Sequence, residues 1–376
     1  MKFLLIYVPN LRFNGYTENW QKYRTIELGK MQRGKSKHRP RDDEKLYGGN
    51  YPFIQTGDIK KANLYIREYE RTYSNYGLSQ SKLWSKGTLC ITIAANIAET
   101  AILGLNACFP DSVIGWISNE KITNNIFIKY YFDFYKTQLK RLSVGGAQEN
   151  LNLDKLENVY FNIPTLSEQN DIANLLTKID ELIDTQSKII DRLQSQINYI
   201  KGQILNLTTT IETKSLDQLC DISTGKRDAN EMKVNGMYKF FTCSREDYCI
   251  DTYSFEGEAL IISGNGELGL IKYYNGKFDA YQRTYVLQNF SCHPKYLMYV
   301  LQSKLPKKIE KEKNVGAMPY IVLKTLTSIN VEIPNMHNQI EIVNILNKFE
   351  ERLENEQILL ELFKKEKSFL LKNLFV

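Results

Sequence analysis

From Ile172 onward an apolar residue returns every three or four positions: Ile172, Leu176, Ile179, Ile183, Ile190, Leu193, Ile197, Ile200, Ile204 and Leu207, with Gln186 filling the one polar step. Steps that alternate between four and three are the heptad seam of a coiled coil. A helix over this stretch is a rod of roughly 54 Å at ~1.5 Å rise per residue, and a rod with one apolar stripe needs a partner. The sequence contains one. At a fixed offset the series returns as Ile342, Leu346, Phe349, Leu353, Leu360, Phe363, Leu370 and Leu374, with Glu356 in the place of Gln186 and Lys367 in that of Ile197. The same offset relates Gly146-Ala147 to Gly316-Ala317, Leu153 to Leu323, Leu156 to Leu326, Ile163-Pro164 to Ile333-Pro334 and Gln169 to Gln339. The chain is a tandem duplication, and each copy ends in a long helix.

A chain of 376 residues has room for two domains with cores of their own. The repeat divides it into a globular part at 1–164, a helix at 165–207, a second globular part at 208–332 and a second helix at 333–376. The formal net charge is +6, and the basic excess sits on the globular parts, chiefly residues 1–164. The six cysteines form no Cys-x-x-Cys pair and only three histidines accompany them, which leaves little material for a metal centre and fits a reducing cytoplasm. The apolar opening Phe3 to Val8 is short and runs into Pro9-Asn10 without a small-residue cleavage site, so no signal peptide is expected. No apolar run approaches the ~20 residues of a membrane helix.

In chain order, Val8 to Trp20 is an irregular lead-in marked by Pro and Gly. A basic loop follows with Arg33, Lys35, Lys37, His38, Arg39 and Arg41, next to Tyr47, Tyr51 and Phe53. As a solvated surface loop it needs no partner; in the most basic section of the chain, phosphate is its natural one. Strand-like runs span Tyr51 to Gln55, Asn63 to Arg67, Gly87 to Ala94, Ala101 to Ala107 and Ser112 to Ile117. The Ala95 to Thr100 interval is too polar for a core and too short for a helix. Ile126 to Leu139 carries paired aromatics at helical spacing, Phe127, Tyr130, Tyr131, Phe134 and Tyr135, the stripe of a helix packed on a sheet. After the polar turn Gly145 to Asn150, the first long helix begins near Leu166 to Gln169, with the Ser167 hydroxyl as its cap.

The second copy repeats the plan with other residues. Leu216 to Ile222 leads to the basic turn Gly225-Lys226-Arg227, and Tyr238, Phe240 and Phe241 stand where Tyr51 and Phe53 stood. Strand-like runs cover Gly257 to Ile262, Gly269 to Tyr274 and Phe278 to Leu287, with Asn275-Gly276 read as a turn, and Pro294 to Leu301 matches the aromatic helix. Scaffold positions agree between the copies while loop residues differ, as expected of two readers of different targets.

Catalytic chemistry is hard to find. No Gly-x-x-x-x-Gly-Lys-Ser/Thr phosphate loop is present. Gly264 to Gly269 spells G-x-G-x-x-G, but a strand rather than a helix follows it, so no helix N-terminus stands ready for a pyrophosphate. The Asn/Asp-Pro-Pro-aromatic tetrapeptide that amino-methyltransferases use on a flipped base is also missing.

Two variable globular units, each closed by Gly-Ala, a Leu-x-x-Leu element, an Ile-Pro and a Gln-led heptad helix, resemble the specificity subunit of type I restriction-modification enzymes. The lead-in Val8 to Trp20 is similar to the start of many such subunits, and Thr165 to Ile183 to their central repeat. Met318-Pro319 departs from Gln148-Glu149 of the first copy. The resemblance covers essentially the whole chain and rests on its architecture. It implies an α+β protein: two mixed α/β target recognition domains separated by two long antiparallel coiled-coil helices, with a pseudo-two-fold internal repeat. It further implies a non-catalytic subunit without cofactor or metal, in which each globular unit reads one half of a split, asymmetric sequence in double-stranded DNA. The helices would act as spacer and dock two methyltransferase subunits, with restriction subunits in the full complex and no membrane. Pairing two repeated rods head to tail gives a pseudo-two-fold, as in dimeric DNA readers.

Phosphate contacts position such a protein and base-edge contacts give it specificity. Lys35, Lys37, Arg39, Lys60 and Lys61 in the first unit, and Lys226, Arg227 and Lys272 in the second, are the expected phosphate contacts. Asn96, Gln148 and Asn150, and Asn265, Gln282 and Arg283, are the expected base readers, since a guanidinium fork matches guanine and a carboxamide matches adenine. The competing reading is a coiled-coil scaffold that binds proteins and not DNA; affinity for duplex DNA that falls steeply with salt separates the two.

Overall fold

A proline closes a short strand just ahead of each long helix: Tyr160–Ile163 runs into Pro164, and Asn330–Ile333 into Pro334. Proline has no N–H for a further ladder bond, so the chain leaves the sheet there. The computed structural model describes residues 8–143, 151–203, 212–312 and 320–376, and divides into two units, Met1–Lys188 with Ile358–Val376 and Ile189–Gln357.

The first unit contains β1 (Gln21–Arg24), α1 (Thr25–Leu28), β2 (Gly29–Arg33), β3 (Tyr47–Phe53), α2 (Thr56–Lys61), β4 (Tyr65–Ile66), β5 (Arg71–Tyr73), α3 (Asn75–Ser79), β6 (Leu89–Thr92), β7 (Thr100–Leu103), β8 (Val113–Ser118), α4 (Asn125–Ser143), α5 (Leu153–Glu157), β9 (Tyr160–Ile163) and the start of α6 (Leu166–Gln203). Strands β2-β8-β6-β7 lie side by side and antiparallel, and β4 adds to β7 in parallel. The β3-β5 pair forms a separate two-stranded sheet, and Phe53 at the end of β3 makes a parallel bridge to Cys108 in the connection after β7. The Asn124 side chain accepts from the Ile126 and Phe127 amides at 2.8 and 3.0 Å, starting α4. The aromatic stripe of α4 is core: Phe127, Tyr130 and Tyr131 are fully buried, in one cluster with Leu89, Ile114 and Trp116 of the sheet. Burying a ring of this size contributes roughly 1.5–3 kcal/mol, so tertiary packing holds α4 in place.

The second unit contains β10 (Glu212–Ser215), β11 (Asp221–Thr224), β12 (Tyr238–Phe241), β13 (Tyr248–Ile250), β14 (Phe255–Ser263), β15 (Ile271–Ala280), β16 (Thr284–Gln288), α7 (Pro294–Glu312), α8 (Leu323–Thr327), β17 (Asn330–Ile333) and the start of α9 (Met336–Leu374). The order β11-β16-β14-β15 repeats β2-β8-β6-β7 strand for strand, and β12 pairs in parallel with β15, as β4 does with β7 in the first unit. The two-stranded sheets β1-β9 and β10-β17 correspond in the same way. The duplication thus extends to topology, where the sequence identity of the copies has faded.

Within each unit the two long helices touch with opposite direction. In the first, Ile172 and Leu176 of α6 share a core with Leu370 and Leu374 of α9, and further along α6 Asp180 meets Lys367 at 2.6 Å. In the second, Ile200 of α6 packs against the cluster holding Ile342 and Leu346 of α9, and Lys201 meets Glu350 at 2.9 Å. Ile172, Leu176, Leu193, Ile197, Ile342 and Leu346 are buried; Ile179, Ile183, Ile190, Ile200, Phe349, Leu353, Leu360 and Phe363 are half-buried. The heptad positions are the covered face of both helices.

Three local expectations need correction. Asn275-Gly276 is no turn: both residues lie inside β15, with Gly276 opposite Gly257 of β14, because the reversal is made earlier by residues 264–270. Phe278 to Leu287 is not one strand but the end of β15, a turn and β16. Helix α6 starts at Leu166, and the Ser167 hydroxyl lies 3.1 Å from that of Tyr16 rather than capping. The Tyr16 and Arg12 side chains strap the lead-in onto α6, Arg12 by two 2.8 Å bonds to the buried Glu168.

Candidate nucleic-acid interface

In the first unit the basic loop follows β2 and is pinned by its backbone. The Gly34 amide donates to Val113 O, Lys35 N to Phe109 O at 3.2 Å and Lys37 N to Gln80 O at 3.1 Å. Arg41 makes a bidentate contact to Asp111 at 2.8 and 2.9 Å, and Arg39 donates to the Ser36 and His38 carbonyls. His38 bridges Asp43 at 2.8 Å and the Tyr76 hydroxyl at 3.1 Å. Internal bonds therefore fix the loop while Lys35 and Lys37 stay exposed and have no ion-pair partner among the described residues. Fixed, unneutralised cations suit phosphate binding, since little side-chain order remains to be lost beyond the lysine stems themselves.

The connection 109–112 also meets the turn between β6 and β7, where Ile93 N donates to Ser112 O at 3.0 Å. Asn96 lies at the tip of that turn, exposed, in left-handed backbone conformation with Ala95 and Ala98. Such a conformation costs a residue with a Cβ free energy, and the surroundings hold it there. Thr92 Oγ1 donates to Asn96 O, Ala98 N donates to Thr92 O, and Lys136 of α4 pairs with Glu99 at 2.6 Å. Ala98 is fully buried, so part of this interval serves the core after all. Lys60 and Lys61 end α2 elsewhere, where the adjacent Asn63 side chain donates to Asp184 of α6; Lys61 is paired with Glu70 at 2.6 Å, and Lys60 has no such partner among the described residues. Gln148 and Asn150 lie outside the described residues.

In the second unit four connections are knitted into one cluster. Gln282 N donates to Arg227 O, Gly264 N to Arg283 O, Glu267 N to Cys243 O and Tyr281 N to Phe241 O, all within 2.9–3.0 Å. Lys226, Asn265, Gln282 and Arg283 therefore stand together; Lys226, Gln282 and Arg283 are exposed and Asn265 is half-buried, and none of the four side chains has a hydrogen-bond partner among the described residues. Two expected contacts have structural work instead. The Arg227 Nε donates to Asp279 Oδ2 at 3.0 Å, and Asp279 is fully buried; that carboxylate holds the guanidinium even more firmly protonated than usual. Lys272 Nζ is spent on Arg245 O at 2.8 Å and Asp247 Oδ1 at 2.9 Å. A buried carboxylate without a cation is too costly to keep, and no local pattern in the sequence announced that Asp279 was buried.

Among the described residues no group of three or more His, Cys, Asp or Glu side chains is placed to hold a metal ion, and no helix is long and apolar enough to cross a membrane.

Comparison with known proteins places this architecture. The family model for the type I restriction modification DNA specificity domain matches residues 17–195 and 209–363. The chain is 35% identical over 150 residues to the EcoDI specificity subunit of Escherichia coli, a match over 40% of this chain and 33% of that one. It is 23% identical over 394 residues to the MjaVIII specificity subunit of Methanocaldococcus jannaschii, covering 93% of this chain and 89% of that one. The first of the curated relatives are matched over only a third to a half of their own length. The crystal structure of a type I restriction-modification S subunit from M. genitalium has the same fold, with a TM-score of 0.67 and 16% identity over 98% of this chain and 99% of that one. With its two matched segments and its doubled topology, the chain belongs to the type I restriction-modification DNA specificity domain family.

Proposed function

We propose that this protein is the DNA-reading, non-catalytic subunit of a type I restriction-modification complex. Residues 1–164 and 208–332 are its two target recognition domains, and each reads one half of a bipartite, asymmetric target. Residues 165–207 and 333–376 are the spacer helices, and they dock two methyltransferase subunits, with restriction subunits joining the full complex. The observation that carries this reading is the pair of loop clusters, around Lys35, Lys37 and Asn96 and around Lys226, Asn265, Gln282 and Arg283, which follow corresponding strands of the two sheets. The clusters share their scaffold and differ in their side chains, which is what reading two unlike half-sites demands. Lys35, Lys37, Arg39, Lys60 and Lys226 serve phosphate, and Asn96, Asn265, Gln282 and Arg283 serve base edges.

The test is co-expression with a methyltransferase subunit of the same family and sequencing of the methylated sites. A two-part motif with a fixed gap is expected. Methylation by the purified chain alone, or no salt-dependent binding of duplex DNA, contradicts the proposal.

A further inference from the structure

Apart from the polar step at Gln186 and Glu356, the seam of α6 and α9 is apolar and repeats by heptads, so its apolar contacts alone discriminate poorly between one register and the next. Two ion pairs that cross between the helices do not share this degeneracy. In the first unit Asp180 of α6 accepts from the Tyr130 hydroxyl of α4 at 2.7 Å and pairs with Lys367 of α9 at 2.6 Å, whose Nζ lies 5.6 Å from the centre of the Tyr130 ring. In the second unit Glu350 of α9 accepts from the Tyr299 hydroxyl of α7 at 2.7 Å and pairs with Lys201 of α6 at 2.9 Å, whose Nζ lies 4.7 Å from the Tyr299 ring. Asp180 and Glu350 occupy equivalent repeat positions. In each unit the tyrosine fixes a carboxylate on the helix that the unit itself begins, and a lysine from the other helix must arrive at that level to neutralise it.

We propose that Asp180–Lys367 and Glu350–Lys201 are register-determining pairs, and, on the reading that the helices separate two DNA half-sites, that they select the accepted spacing. A slip by one heptad would bring Leu360 or Leu374 to the place of Lys367 and leave Asp180, only 4% exposed, with the Tyr130 hydroxyl but without its cation. Such a slip moves one helix along the other by about 10 Å, on the order of three base pairs of duplex. Lys367 and Lys201 act through the helices and are positioning residues; neither is among the groups assigned to DNA.

The test uses the full chain with Cys243→Ser and Cys249→Ser, and spin labels at Glu181→Cys and Lys364→Cys, two exposed sites in the first unit. The wild-type pair is expected to give one interlabel distance. Asp180→Leu with Lys367→Leu is expected to add a second population displaced by about 10 Å, the length of a heptad, while Asp180→Lys with Lys367→Asp returns a single distance. In complex with the methyltransferase subunit, the leucine variant should lose at least about ten-fold of its preference for one gap length between the half-sites, a change of the size a single wrong base pair produces. A leucine variant with native circular dichroism and one unshifted distance overturns the register assignment. A shifted register with unchanged gap preference overturns the link to specificity. If the wild-type complex methylates no bipartite site, the functional reading fails, and the distance measurement still decides the register.

Discussion

Gln169 and Gln339 share two bonds at equivalent places in the two units. Gln169 Nε2 donates to Pro164 O at 2.9 Å while its Oε1 accepts from Asn124 N at 2.9 Å; Gln339 Nε2 donates to Pro334 O at 2.8 Å while its Oε1 accepts from His293 N at 2.8 Å. Both carboxamides are buried. Each ties the start of a long helix to the start of the aromatic helix of the same unit.

Replacing either glutamine by alanine strands a buried donor and acceptor, each costing roughly 1–3 kcal/mol. Urea unfolding followed by hydrogen exchange should show Gln169→Ala loosening the α4 and α6 starts, and Gln339→Ala those of α7 and α9. Uniform loss of protection across both units in either variant would contradict the assignment.

Lys226 and Arg227 are neighbours with opposite roles. Arg227→Ala leaves the buried Asp279 carboxylate without its cation and should lower the melting temperature by several degrees. Lys226→Ala should leave melting unchanged and weaken DNA binding across all sequences. Thermal melts and titrations with cognate and scrambled duplexes measure both effects.

For Lys35 and Lys37 the signature is salt. Each phosphate contact contributes about −0.9 to the slope of log affinity against log salt, so the double alanine variant should flatten that slope by roughly 1.8 with no loss of stability. A parallel line would show that neither lysine touches phosphate.

Gly34 and Gly225 follow corresponding strands, and each has backbone where a Cβ would stand: Pro110 O against Gly34 and Ala280 O against Gly225. Alanine at either position must push the next connection away, displacing Lys35 or Lys226. Weaker DNA binding with an intact helical circular-dichroism signal is the expected outcome; unchanged binding would show that those loop positions are irrelevant to it.

Asp43 accepts from the Lys45 amide and from His38, and these bonds hold its carboxyl below the ordinary value of 3.8. The ionised form is favoured by folding, so its contribution is present above that value and is lost as pH falls through the lower, folded one. The basic loop should therefore gain hydrogen-exchange rate in acid below about pH 4. In Asp43→Asn this acid step should disappear; an identical step in the variant would assign it to another group.

The two long helices, the duplication and the buried aromatic stripe of α4 were legible in the residues alone, because heptad steps and helical spacing are local and repeat many times over. Placing the reading loops was beyond it. Whether Lys226 faces solvent while Arg227 serves Asp279 depends on β16 pairing with β11 and on the bridge between Arg227 and Tyr281, just past β15, contacts made by residues far apart in the chain. Asn275-Gly276 is a strong local turn signal, yet it lies within a strand because long-range pairing with β14 outweighs a preference confined to two residues. Tertiary structure alone also gave Lys367 its partner. On the sequence it is a charge on an apolar seam; only folding carries Asp180 to it and turns a seam defect into a contact that fixes where one helix stands against the other.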